Sequence, residues 1–592
     1  GVTLAEGSRT VTVPANGALE VAFALSDPEP GQASFRFDVS AGDDRDVVEV
    51  NIPVVRPQPV EVVATMGTTR DIAREDIALM SGLLDGVGGL NVQVSPTVMV
   101  GADSALSYML DYPYNCLEQT SSRLMAALLA QELGERASLD VSDEKLQRIV
   151  SANLARLDEF QHPSGGLMMW PGGYSSPHAL GTAYAMEARF KAGRMPSQDT
   201  INFLRGFLSG KWIPRWWSEE STREARVRVA LALARVDMGE AAYNNMLFDS
   251  HLSLSPTGQA ELLETIARTS GPWNRNAQRL VSIVEGQLHV DATAAVVKDG
   301  KEFFWNGSMS PTAAALSALM VVDPNHPLVD RIAKGLMHGR RAGRWNNTYT
   351  TAKALQALRD YTSVRESNSK STVAEVQLNG KSIINELLTN APAATFVPMS
   401  SAVNGPLEIK SDGGLVYYET RLSYATKMMP PRDEGFTVVR SYRMLEGSGS
   451  TSGVTPGALV RVDLRIVTPI QRTDVVVHDP LPAGLEPVDT SFETSASVVT
   501  EEGGSTGGNS SNANWSAWVF NHRELDDASM TLFADVMPAG VHTYSYLARA
   551  TTPGVYSMPA ATAKEMYRPE IFGRTKQGIF IVGEAAIAMN EQ

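Results

Sequence analysis

The chain has 592 residues, 43% of them hydrophobic and 20% charged, with a formal net charge of −15, a length that suggests about four domains. No basic block offsets the acidic balance, which argues against a nucleic-acid partner, and no apolar run nears the ~18 residues of a membrane-spanning helix. One cysteine cannot make an internal disulfide, so cysteine usage leaves the compartment open.

Residues 1–57 read as β-structure. Thr10–Val13, Leu19–Phe23 and Ser34–Val39 alternate apolar and polar residues between Pro, Gly and Asp, the pattern of a partial β-sandwich. Starting at Gly1 without Met or a leader, the chain reads as an excised portion of something longer. Pro57-Gln58-Pro59 reads as a linker, and short strands follow at Val60–Ala64 and Leu90–Val94.

The sole cysteine, Cys116, stands three residues before Gln119 in Tyr112-Pro113-Tyr114-Asn115-Cys116-Leu117-Glu118-Gln119-Thr120. On a first helical turn, positions i and i+3 share a face, with Cβ atoms about 5–6 Å apart. The sulfur is then in reach of the glutamine carbonyl carbon, and displacing ammonia would leave a thioester. The competing reading is a small buried hydrophobe, the commonest state of a lone cysteine. Glu118 is expected to point away from the Cys116–Gln119 face and to interact with the helix N-terminus. Ser121, Ser122 and Arg123 read as ordinary helix residues.

From about 102 to 365 the pattern turns helical. Trp170, Trp217, Trp305 and Trp345, each followed by an Ala-rich stretch, recur at about 44 residues or twice that. About six such hairpins fit, which suits a closed α/α toroid whose units bury a shared core only together. The tryptophans are expected to pack the hairpins. Strands return at Ser371–Leu378 and Leu415–Leu422, then at Val460–Val467, Asp474–Asp479 and Val541–Thr551. Glu501–Asn514, rich in Gly, Ser and Asn, reads as a loop. No Cys-x-x-Cys, His-x-x-x-His, P-loop or dinucleotide fingerprint appears, so no metal or cofactor is expected.

The run Tyr-Pro-Tyr-x-Cys-Leu-Glu-Gln-Thr-Ser-Ser-Arg-Leu closely resembles the thioester region of the bacterial α2-macroglobulins, a protease-trap family related to the third complement component. By position, the resemblance implies a thioester between Cys116 and Gln119. It also implies a mixed α and β multidomain fold. Residues 1–57 would be a partial macroglobulin-like sandwich, and 58–101 and 366–428 the halves of a CUB-like domain. The toroid, 102–365, would be inserted between those halves, and 429–592 would be a C-terminal receptor-binding-like β-domain. A thioester in water hydrolyses, so the fold must hide it. Tyr112 and Tyr114 are the candidates beside the bond, and Met566, in Glu565-Met566-Tyr567-Arg568-Pro569, is the candidate from the C-terminal domain.

In that family, cleavage of a bait segment exposes the bond, and the attacking protease is trapped and acylated. No bait segment is visible in these residues. No histidine has a flank marking it as an acyl-transfer residue, so direct attack by lysine amines of the target is expected. The resemblance further implies a periplasmic location, a lipid anchor to the inner membrane outside this sequence, a monomer, and a penicillin-binding protein as partner. The chief rival is a cysteine-nucleophile hydrolase or transglutaminase-like enzyme using Cys116, which needs a base such as histidine. A structural or adhesive protein and a toroid enzyme are weaker rivals.

Overall fold

The computed structural model describes residues 3–4, 6–19, 21, 23, 25–26, 31–54, 60–172, 176–297, 303–367, 371–400, 403–426, 430–444, 452–489 and 519–583. The expected linker at Pro57–Pro59 and loop at Glu501–Asn514 lie outside these residues. The chain divides into two units, Gly1–Pro59 and Val60–Gln592.

The first unit is built on a hairpin of Gly31–Ala41 with Asp44–Val54, in register from Gly31 opposite Val54 to Ala41 opposite Asp44. Gly42, at φ +63°, supplies the left-handed residue that a two-residue hairpin loop requires. Thr10–Val13 is not a strand, contrary to its alternation. Of Leu19–Phe23, residues 19, 21 and 23 are described, and none is in a strand. Val11 and Val13 are exposed, so no buried face fixes that segment as a strand; the hairpin forms through its backbone ladder although Phe37, Val39, Val48 and Ile52 are exposed too.

Among the described residues, twelve α-helices lie between 102 and 365 of the second unit: α1 Ala102–Leu110, α2 Leu117–Leu133, α3 Asp143–Asp158, α4 Ala179–Lys191, α5 Gln198–Leu208, α6 Glu219–Arg235, α7 Ala241–Phe248, α8 Pro256–Ser270, α9 Arg275–Gln287, α10 Ser310–Val322, α11 Val329–His338 and α12 Thr348–Arg365. The even-numbered helices pack in a closed cycle, α2 on α4, α4 on α6, and so on to α12 on α2. They are buried on nearly every side, as Thr257–Ala267 of α8 shows. Odd-numbered helices lie outside them and bury one stripe, for example Leu146, Val150, Asn153 and Leu157 of α3. The even-numbered helices start with capping side chains at five of six places: Cys116, His178, Ser218, Ser255 and Asn347.

Strands from either side of the helices share sheets. Glu61–Thr69 and Leu83–Ser95 pair with Val416–Thr426, and Ala393–Pro398 pairs with Leu83–Ser95. A facing sheet orders Lys381–Leu388, Thr372–Leu378, Gly405–Ser411 and Ile72–Ile77. Leu90, Val92, Val94, Val376, Ile409 and Val416 fill the space between. At the junction with the helices, Gly101 is at φ +70°, and a Cβ there would stand 2.1 Å from Glu419 Oε2. The buried Arg340–Glu419 pair, at 3.5 Å, lies at the same junction.

The last domain has a six-stranded sheet centred on Arg472–Pro480 and Ser529–Met537, opposed by a four-stranded one containing Leu459–Thr468 and Gly540–Ala550. Alternation holds in Leu459–Thr468, whose Val460, Val462, Leu464 and Ile466 point into the core. Val476, Phe533, Met566 and Tyr567 of this domain join the apolar core of the helices instead. That continuity builds the site.

Candidate functional site

Cys116 is the N-cap of α2, with φ −68° and ψ 173°. Its sulfur accepts the backbone N–H of Gln119, and the Gln119 side chain folds back onto the Cys116 backbone. There Cys116 N–H donates to Gln119 Oε1 at 3.2 Å. This reciprocal capping box satisfies two helix-end donors, and it holds the sulfur and the carboxamide of Gln119 against each other. The N–H on Oε1 also sits where charge would develop if sulfur added to the carboxamide carbon. Gln119 Nε2, the group that would leave, donates to Met566 Sδ at 3.5 Å.

The preceding loop is tied down by Arg123, which donates to Leu110 O at 3.0 Å, to Asn115 Oδ1 and to the carbonyl of Tyr112. Arg123 is therefore the strut of the loop, where sequence periodicity suggested an ordinary helix residue. Tyr112 packs edge-on against Tyr108 and Tyr114, and Tyr114 against Phe533 of the C-terminal domain at 5.2 Å. Cys116 and Gln119 are 0% and 1% exposed, while Tyr112, Tyr114 and Met566 around them are 8%, 6% and 7% exposed. All five residues singled out in the sequence thus fall in one dry cluster.

Glu118 departs from its expectation. Its side chain is fully buried, because the first turn of an inner helix is covered on all sides. Ser122 Oγ donates to Oε1 at 2.6 Å, Thr348 Oγ1 lies 3.0 and 2.9 Å from the two oxygens, and Tyr567 OH donates to Oε2 at 3.1 Å. Burial pushes this carboxyl up to about 7 against the pull of those three hydroxyls. Tyr567, from the C-terminal domain, also acts on the buried Cys116 thiol, pulling it down slightly against the rise that burial causes. Its carbonyl accepts Asn347 Nδ2 at 2.8 Å, so the α12 cap holds it in place. Asp474, at φ +52°, accepts Met566 N–H at 2.9 Å on its carbonyl and aligns the same segment.

Sequence reasoning grouped Tyr567 with Met566 only as a bulky neighbour. Neither its two polar contacts nor the role of Thr348 has a local signal, since the partners lie hundreds of residues apart. The repeat tryptophans divide. Trp345 stays within its hairpin, donating to Leu336 O at 2.6 Å. Trp170 stacks on His522 at 4.0 Å and Trp305 meets Tyr567 at 5.8 Å, so both also seat the C-terminal domain. His178 stacks on Trp305 and caps α4 by accepting Gly181 N–H; burial lowers it to about 4, so it is neutral. Burial first, then the Glu118 charge, raises the Cys116 thiol well above its ordinary value. That is the reverse of an activated thiolate nucleophile.

Residues 435–570 match the family described as the bacterial α2-macroglobulin MG10 domain. Among curated relatives, an α2-macroglobulin homolog of Nostoc is 23% identical over 94% of this chain and 30% of its own length. The α2-macroglobulin of Escherichia coli is 25% identical over 78% of the chain and 28% of its own length. That of Xylella fastidiosa is 25% identical over 97% and 35%. The chain thus spans about a third of the length of the curated relatives it matches. In fold it is similar to native E. coli α2-macroglobulin from domain MG7 to the C-terminus, with TM-score 0.79, 18% identity, and coverage of 98% of this chain and 92% of that one. It is also similar to Salmonella α2-macroglobulin reacted with methylamine, with TM-score 0.78, 19% identity, and coverage of 98% and 38%. In sequence and in fold, this chain is a relative of the C-terminal part of the bacterial α2-macroglobulins.

Proposed function

We propose that Cys116 and Gln119 are joined as an internal thioester, and that the chain is the reactive part of a protease trap. The observation that carries this is the reciprocal capping of the two residues inside a fully buried cluster. Formation releases one ammonia; attack by an amine then acylates the amine and frees the Cys116 thiol. The thiol, raised well above its ordinary value by burial, opposes the hydrolase or transglutaminase reading, which needs an activated thiolate. The similar Salmonella α2-macroglobulin, reacted with methylamine, supports amine chemistry at this fold.

On this reading the closed cycle of helices, 102–365, is the α/α toroid of a thioester domain, and the interrupted sandwich, 58–101 with 366–428, is its CUB-like carrier. Residues 429–592 act as the receptor-binding-like cover; Met566 from it, with Tyr112 and Tyr114 from the helical domain, shields the bond. The targets are proteases, acylated through lysine amines after a bait segment elsewhere is cut. A periplasmic location, an inner-membrane lipid anchor, a monomeric state and a penicillin-binding protein partner belong to the same proposal. The test is thiol titration of the native chain with and without methylamine. No thiol before treatment and one after it are expected; a thiol that reacts equally in both samples overturns the reading.

A further inference from the structure

The rings that seat the C-terminal domain also lead outward, to the surface. Tyr567 meets Trp305 at 5.8 Å, Trp305 stacks on His178 at 5.3 Å, His178 meets Trp217 at 6.5 Å, and Trp217 meets Trp216 at 6.0 Å. Four ring contacts thus connect the Met566–Tyr567 segment to Trp216, whose side chain is 71% exposed. Trp212, in the same loop between α5 and α6, is 48% exposed. It is held at φ +62°, a conformation that bulky residues rarely adopt, and its ring leans on the buried Phe203 at 5.8 Å.

The loop ends at Ser218, the cap of α6, as Cys116 and His178 cap α2 and α4. The Trp217–His178 contact puts it at the same end of the helical cycle as the Cys116–Gln119 pair. The chain of rings is covered by the C-terminal domain at Trp305 and open to solvent at Trp216, so the exposed patch continues an interface that the molecule already uses. Arg215, also exposed, lies between the two exposed indoles, and Trp and Arg are the residue types that dominate binding energy at protein–protein interfaces.

Resting on the thioester reading, we propose that the Trp212–Trp216 loop is a docking surface for the polypeptide that the bond acylates, selecting lysines flanked by apolar or aromatic side chains. The occupant is a polypeptide because the rings lead from the surface to the roof of a bond that takes amines, and a partner of protein size seated on Trp216 spans the four contacts between them. The loop contributes no atom to the reaction. It raises the local concentration of the amine and leaves its reactivity unchanged. The lysine nitrogen bonds to the Gln119 acyl carbon, the carbon–sulfur bond breaks, and the proton lost by nitrogen ends on the Cys116 sulfur.

The full chain is prepared as wild type, Trp216→Ala, the double variant Trp212→Ala with Trp216→Ala, and Trp273→Ala. Trp273 is 82% exposed but lies beyond the last turn of α8, at the far end of the inner helices. Conjugation rates per amine are measured for methylamine and for two soluble one-lysine peptides, one with phenylalanines beside the lysine and one with serines. The phenylalanine peptide is expected to react about tenfold faster than the serine peptide in wild type and Trp273→Ala. That advantage is expected to vanish in Trp216→Ala and in the double variant, while methylamine reacts at one rate in all four. Equal rates for the two peptides in wild type, or an advantage kept in the double variant, overturns the docking surface. A wild-type dimer that Trp216→Ala returns to monomer assigns the loop to a second copy and overturns it too. Failure of wild type to incorporate methylamine overturns the thioester instead. The surface is then read by saturable binding of the phenylalanine peptide to Cys116→Ser, expected to be lost on adding Trp216→Ala; binding unchanged by that addition overturns it.

Discussion

Cys116 does two jobs, capping α2 and supplying sulfur, and serine separates them. Serine is a better N-cap than cysteine, so Cys116→Ser should unfold within about 1 kcal/mol of wild type in denaturant, while incorporating no methylamine. Glu118 makes the second prediction. Its carboxyl rises from 4.5 to about 7 on folding, so ionising it costs the folded state. That cost is absent below 4.5, grows as pH rises through the window, and is complete above 7, at about 3 kcal/mol. Glu118→Gln should flatten the stability-versus-pH curve in that window, measured by urea unfolding at each pH. At this scale the pairing of Cys116 with Gln119 was legible because i,i+3 geometry is local. The burial of Glu118 was not, because its cover comes from Thr348 and Tyr567, which no local pattern links to it.

Among elements, the even-numbered helices were visible as a tryptophan-marked repeat, and Cys116 occupies the place that Ser218, Ser255 and Asn347 hold in other repeats. The repeat's spacing does not say which end receives the C-terminal domain. That is decided by Trp170 on His522 and Trp305 on Tyr567. The Tyr112–Tyr114 loop and the Met566–Tyr567 segment are both buried with the Cys116–Gln119 pair, so on the proposed reading thinning either should admit water and amines. Tyr112→Ala and Met566→Ala are each expected to speed methylamine opening by about tenfold or more, against an unchanged rate for a distant control such as Trp273→Ala, whose ring is 82% exposed. Strand alternation served well where a sheet has cover, as in Leu459–Thr468. It failed at Thr10–Val13, where Val11 and Val13 are exposed and no buried face selects a strand.

Across the second unit, buried charge links the layers. Arg340 and Glu419 are 1% and 0% exposed at the junction of helices and sandwich, and burial raises the carboxyl and lowers the guanidinium against their mutual attraction. Arg340→Met leaves the buried Glu419 with the longer Arg421 pair at 3.9 Å and should cost about 3 kcal/mol, read as a lower urea midpoint. Within the helices, Arg235 bridges Glu187 and Glu264 at 2.9 and 2.7 Å. Burial alone would raise Glu264, yet Arg235 and Arg268 hold it down to about 2. The stability from that pairing is whole above 4.5 and is lost as pH falls towards 2. The pairing of strands 61–95 with 393–426 across the helices came from the resemblance alone, since composition does not say which strands meet. Intact mass measures the Cys116–Gln119 bond directly. A native chain lighter than its sequence by one ammonia is expected, with the deficit on the peptide holding Cys116 and Gln119. A native chain of full sequence mass, with a free Cys116 thiol, would contradict it.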